Sequence, residues 1–194
     1  MKTMLVLSMG ALLLAGTLSA QTPVPEWQAG VDKMKSLIQT NPAQASEEAG
    51  ELLKGKNKKN VDLVTSVAHV YLDAGKITEA QEYLAMAKKA NNKDPKVSVL
   101  EGDIALAQKN IGQACQLYEQ AIYFDPNCKE AYLKYAQAYK SASPTQAIEK
   151  LEQLKAVDPN CLEADRELAE VYYSGNRFGK AAEMYAKFID TPLA

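Results

Sequence analysis

The chain has 194 residues, with 22 basic against 24 acidic side chains and a single histidine. That near-neutral, slightly acidic balance supplies no global positive field, so nucleic acid is not an expected partner. One histidine rules out two-histidine metal motifs, and no Gly-x-Ser-x-Gly, P-loop or Gly-x-Gly-x-x-Gly stretch occurs, so no enzyme centre, metal or cofactor is expected.

In chain order, residues 1–20 stand apart. Lys2 is their only charge, an apolar run follows from Met4 to Leu14 and weakly to Leu18, and Ser19-Ala20 precedes Gln21. This is the pattern of a secretory signal peptide cleaved after Ala20, which predicts a periplasmic or secreted protein. The same stretch is just long enough for a short membrane anchor, and that alternative stays open. No cysteine follows the apolar run to accept a lipid, and no second stretch of spanning length follows, so the mature part is expected to have no transmembrane segment.

Residues 24–59 predict a worn helix pair. Trp27, Val31, Met34 and Ile38 share one helical face, and "NPAQASEEAGELLKG" offers Asn41 as N-cap, Pro42 at the first helical position and Gly55 at the exit. The pair is expected to cap whatever follows. "KGKNKKN", residues 54–60, is the most basic stretch. It reads either as a solvated loop after a helix C-terminus or as a contact for an anionic surface.

From residue 61 small and large apolar positions recur in a fixed order. Ala68 and Ala80, Gly102 and Ala114, Ala136 and Ala147, and Ala169 and Ala181 form pairs of small residues that let two neighbouring helices approach closely. Tyr71, Ala105, Tyr139 and Tyr172 follow the first member of each pair at helical spacing, and Leu84, Tyr118, Leu151 and Tyr185 follow the second. Pro95, Pro126, Pro159 and Pro192 punctuate the units.

This order resembles the tetratricopeptide repeat, a helix-turn-helix unit of about 34 residues. The resemblance covers residues 61–194 as four repeats, 61–94, 95–128, 129–161 and 162–194, and is carried best by "EAYLKYAQAYKSASPTQAIEKLEQLKAVDP" and "EADRELAEVYYSGNRFGKAAEMYAKFIDTP". Two departures stand out: "KKANNKDP" is three residues longer before its proline, and Glu101 replaces a large apolar residue. The implied fold is all-α, a right-handed α-solenoid.

Asp-Pro-Asn-Cys occurs twice, from Asp125 and from Asp158, 158 − 125 = 33 residues apart. In a repeat array it is the turn between units, with Asp and Asn supplying acceptors for the next helix start. Cys128 and Cys161 are then copies rather than ligands of one site. Corresponding points on packed helices lie about 8–10 Å apart, beyond the roughly 7 Å a disulfide tolerates, so with Cys115 they are expected as reduced, partly buried thiols.

The resemblance further implies that the first helices of successive repeats line a concave groove for partner segments. It places Asp62, Thr65, Ser66, His69, Leu72 and Asp73 there from the first repeat, and Val99, Leu100, Asp103 and Leu106 from the second. The third gives Leu133, Lys134, Gln137 and Lys140, and the fourth Arg166, Glu167, Glu170 and Tyr173. A basic centre of Lys134, Lys140 and Arg166 is expected to take an acidic group or C-terminal carboxylate, with Leu100, Leu106, Leu133 and Tyr173 as apolar anchors. A mixed charged face turned only to water is the plainer reading of the same residues. The carboxylate clamp of chaperone-binding members needs Lys and Asn where Thr65 and His69 stand.

The last helix carries Phe178, Ala181, Ala182, Tyr185, Phe188 and Ile189, a wider stripe than one neighbour needs. Either a longer array or self-association at this end is expected. The function expected is an exported, non-catalytic scaffold that binds a protein or peptide for envelope assembly. A small-molecule or glycan binder is the alternative, and Tyr173 is the single aromatic expected in the groove.

Overall fold

A computed structural model describes residues 24–189 as an all-helical stack, with no strand among the described residues. The antiparallel pairs are α1 (Gln28–Leu37) with α2 (Pro42–Leu52), α3 (Val61–Asp73) with α4 (Ile77–Asn91), α5 (Pro95–Ala107) with α6 (Ile111–Phe124), α7 (Lys129–Tyr139) with α8 (Pro144–Val157), and α9 (Leu162–Ser174) with α10 (Phe178–Ile189). Residues 1–20, where a leader is expected, Pro192, and the side chains of Phe188 and Ile189 lie outside the described residues. No described helix is long and apolar enough to cross a membrane.

The small residues sit where the helices touch. Ala68, Ala80, Gly102, Ala114, Ala136, Ala147, Ala169 and Ala181 are all buried. At Gly102 a methyl group would stand 2.5 Å from Cε1 of Tyr118, so the ring of α6 lies directly on the backbone of α5. Fillers occupy the remaining space: Tyr71, Tyr118, Leu151 and Tyr172 are buried, each contributing roughly 1.5–3 kcal/mol of apolar burial. The core runs on from unit to unit, because Val99 and Leu100, neighbours on α5, belong to successive clusters, and Ile122 and Tyr139 pack into both of the last two.

Helix starts keep register despite the longer "KKANNKDP" junction. From Ala80 to Pro95, Ala114 to Lys129 and Ala147 to Leu162, the next helix begins 15 residues after the buried alanine. Only the proline moves. Pro95 opens α5 behind an Asp94 cap, whereas Pro126 and Pro159 sit in turns before α7 and α9. In those turns Asp125 and Asp158 accept from the backbone N–H of Asn127 and Asn160 at 2.9 and 3.2 Å. This corrects the expected role of Asn: it donates from its backbone, and Cys128 and Cys161 hold the N-cap positions without a side-chain capping bond, the Cys161 thiol instead donating to the Glu163 carboxylate at 3.5 Å.

The three cysteines are unbridged, Cys115 and Cys161 buried and Cys128 half-buried. Burial pushes the Cys115 thiol up to about 11. Glu101, the apparent misfit on α5, is half-buried and accepts from Lys88 of α4 at 2.6 Å.

At the N-terminal end Val31, Met34 and Ile38 are buried and join the same core as α3 and α4, with Trp27 packed against it. Asn41 caps α2 by accepting from Gln44 N–H at 3.2 Å. Residues 55–59 form a 3₁₀ turn rather than a plain loop, since Asn57 donates its side-chain amide to the Leu52 carbonyl and Asn60 caps α3.

Candidate functional site

Successive first helices α3, α5, α7 and α9 pack on one another, while the second helices reach mainly their own partner and the next first helix. The stack therefore closes on the side of the first helices, and that side forms a groove.

Along the groove, side chains one repeat apart are joined by polar rungs. Lys96 of α5 meets Asp62 of α3 at 2.5 Å, Lys129 of α7 meets Glu163 of α9 at 2.7 Å, Gln137 meets Glu167 at 3.0 Å and Lys140 meets Glu170 at 2.7 Å. Each ammonium of these pairs is held above its ordinary range by the carboxylate it binds, Lys96 by Asp62, Lys129 by Glu163 and Lys140 by Glu170.

The centre of the groove is a buried carboxylate. Asp103 is 7% exposed and accepts from Tyr118 Oη at 2.7 Å, from Lys134 Nζ at 2.8 Å and from His69 Nε2 at 3.0 Å. Burial alone would raise its pKa; the bond from His69, the charge and bond of Lys134 and the bond from Tyr118 outweigh it and hold the carboxyl below the usual range. His69 Nδ1 lies 2.9 Å from the Thr65 carbonyl, a contact that orients the ring so that Nε2 faces Asp103. Burial, together with the Asp103 charge, pushes the Tyr118 phenol far up, so it stays a donor.

These contacts correct two expectations. The basic centre is not open: Lys134 faces Asp103, Lys140 faces Glu170, and Arg166 lies 3.3 Å from Glu167, itself buried. Leu100 is fully buried, because its position on α5 turns into the stack instead of the groove; Val99 and Thr65 are buried too, but in the wall of a groove recess. Leu106 and Leu133 remain half-buried, and Tyr173 is exposed at the far end, edge-on to Phe178.

The unmatched groove charges are acidic. Among the described residues Asp73 has no hydrogen-bond or ion-pair partner, and it stands at the C-terminal residue of α3, where the helix dipole disfavours a carboxylate. Glu130 has no ion pair of its own and lies in the field of Lys96, whose ammonium already binds Asp62.

Two recesses open beside them and share His69. One, about 360 Å³, lies between Pro25 and Trp27 on one side and Asp62, Lys96 and Glu130 on the other. The second, about 320 Å³, is bounded by Leu72, Asp73, Asp103, Leu106 and Lys134. Trp27 was expected only in the cap helix's buried face; its place at the N-cap of α1 brings it to the groove as well. Tyr118 is the other residue sequence reasoning missed. Its signal was available: a large ring opposite Gly102 has a hydroxyl that needs a partner when buried, and Asp103 is the next residue. No group of three or more potential metal ligands occurs among the described residues.

A tetratricopeptide repeat family model matches residues 68–128 and 137–192. No curated protein matches the chain in sequence. Among solved structures, the thermophilic tetratricopeptide protein TTC0263 of Thermus thermophilus is 19% identical with a TM-score of 0.65, the match covering 84% of this chain and 90% of that one. Pseudomonas aeruginosa PilF is 19% identical with a TM-score of 0.63 over 86% of this chain and 77% of that one. YrrB, described as having an unusual peptide-binding site, is 17% identical with a TM-score of 0.54 over 83% and 84%. At these identities the likeness is one of fold.

Proposed function

The chain belongs to the tetratricopeptide repeat family, and on that premise we propose that it is a non-catalytic interaction scaffold whose groove receives an extended or helical segment of a partner protein. The observation that carries this reading is the pairing pattern of the groove. Its cations are engaged by neighbouring carboxylates, which leaves Asp73 and Glu130 unmatched beside Trp27, Leu72 and Leu106. A segment carrying Lys or Arg next to apolar residues complements that lining, with apolar anchorage in the recesses and charge fixing the register. YrrB, a neighbour in fold, is described as a peptide binder, which is consistent with this use of the architecture. The leader pattern in residues 1–20 supports export, and with it a role in assembling envelope proteins.

Selection from a random peptide display library tests the reading. The groove is expected to enrich sequences with Lys or Arg beside apolar residues, and Asp73→Lys with Glu130→Lys to weaken their binding by about tenfold or more. Peptides whose binding ignores those changes and also Leu72→Gln with Leu106→Gln would remove the groove as the interaction face.

A further inference from the structure

Lysines in this protein are seldom left alone. Eleven of the described ones lie within 4.0 Å of a carboxylate, and Lys180 lies over the Tyr172 ring. Three without such a partner line one corner, Lys58 and Lys59 on the 3₁₀ turn and Lys89 in the last turn of α4; Lys56 lies on the same turn and Lys93 just after α4. Lys109 is elsewhere, in the turn between α5 and α6.

Their grouping is not explained by stability. The dipole of α4 favours Lys88 and Lys89 in its last turn, and Lys88 is neutralised by Glu101. Packing the 3₁₀ turn against α4 then brings Lys58 and Lys59 to the same place as the unneutralised Lys89, a gathering of like charge that costs energy in the free molecule. Between them lies a recess of about 380 Å³ floored by Ala85, Met86 and Ala90, with Glu82 as the one carboxylate of its lining. Met86 is half-buried and packs on the core, so this floor is firm and apolar.

We propose that this corner is a second binding surface, on the side of the second helices, for an acidic segment of a protein partner that places an apolar side chain in the recess and carboxylates against Lys58, Lys59 and Lys89. Shape selects a protein segment over a lipid surface: a bilayer meets protruding groups, whereas here Ala85, Met86 and Ala90 line a recess. The site is independent of the groove, sharing no residue with either groove recess.

The test measures binding of a fluorescent Glu/Leu helical peptide, its Gln/Leu counterpart, and vesicles of phosphatidylglycerol in phosphatidylcholine to the whole protein. The Glu/Leu peptide is expected to bind, to weaken as salt rises, and to outbind the Gln/Leu peptide by about tenfold or more. Replacing Lys58, Lys59 and Lys89 together by Gln is expected to abolish that advantage, and replacing the same three by Arg to retain it. Because these side chains are exposed and unpaired, neither set should alter folding, which circular dichroism checks. Binding to vesicles but not to the peptide would transfer the surface to membranes and overturn the proposal. Equal binding by the Gln variant, or no binding at all, would make the corner solvated surface and overturn it too.

Discussion

Asp103 joins three groove helices through one side chain. Its carboxylate takes donors from α3, α6 and α7, of which the Tyr118 hydroxyl is buried with it. Asp103→Asn keeps the shape but leaves Lys134 and the buried Tyr118 hydroxyl facing an amide, and is expected to cost about 1–3 kcal/mol in urea unfolding at neutral pH. The sign of the pH dependence follows from the lowered native pKa. A carboxyl that releases its proton more readily when folded stabilises above its unfolded value, about 4, and that contribution is lost as pH falls through the native value. The gap between wild type and Asp103→Asn should therefore be full near neutrality and narrow on acidification below about pH 4. A gap that stays constant into that range would show that Asp103 is not the charged partner of His69 and Lys134.

In three of the five hairpins the turn is as repetitive as the helices. Gly75, Lys109 and Asn176 hold equivalent places with φ of 75°, 64° and 59°, and the residue after each donates back to Tyr71, Ala105 or Tyr172 at 2.8–2.9 Å. This is the closure in which a left-handed residue ends a helix, and glycine adopts it without steric cost. Lys109→Gly is accordingly expected to stabilise the protein by about 1 kcal/mol, raising the thermal midpoint by roughly 2–4 °C, with no change in groove binding. A lower midpoint would mean that the aliphatic stem of Lys109 packs usefully. Elements of this kind explain what the sequence disclosed. Alanine pairs, aromatic fillers and helix caps act through neighbours a few residues away, so Ala68, Tyr118 as a filler, Asn41 and the repeat period were legible. Groove chemistry was not, because it depends on which side chains meet across a repeat. Lys134 is 31 residues from Asp103, and Lys140 is 30 from Glu170. Read along one helix they looked like available cations; read across the stack they are engaged. Leu100 failed for a related reason, since an apolar residue on a first helix lies in the groove or in the core according to a fraction of a turn that spacing does not resolve.

A scaffold must hold two things, and a solenoid with one groove holds only one. The distribution of unmatched charge supplies the missing surface, with acidic groups left over beside the apolar groove recesses and basic groups left over at the corner between the 3₁₀ turn and α4. Opposite polarity on separate faces also directs partners, because a basic segment is repelled from the corner and an acidic one from Asp73 and Glu130. The two faces share no lining residue, and the helices between them share one packed core. The expected consequence is energetic independence. A Lys/Leu peptide bound in the groove and a Glu/Leu peptide bound at the corner should form a ternary complex, each titrating with the same affinity, within about twofold, whether or not the other is present. Isothermal titration of each peptide into protein saturated with the other reads this directly, provided a control titration removes direct association of the two peptides. Competition would place both peptides on one surface and reduce the molecule to a single-site binder, whereas two independent sites give it the geometry of a bridge.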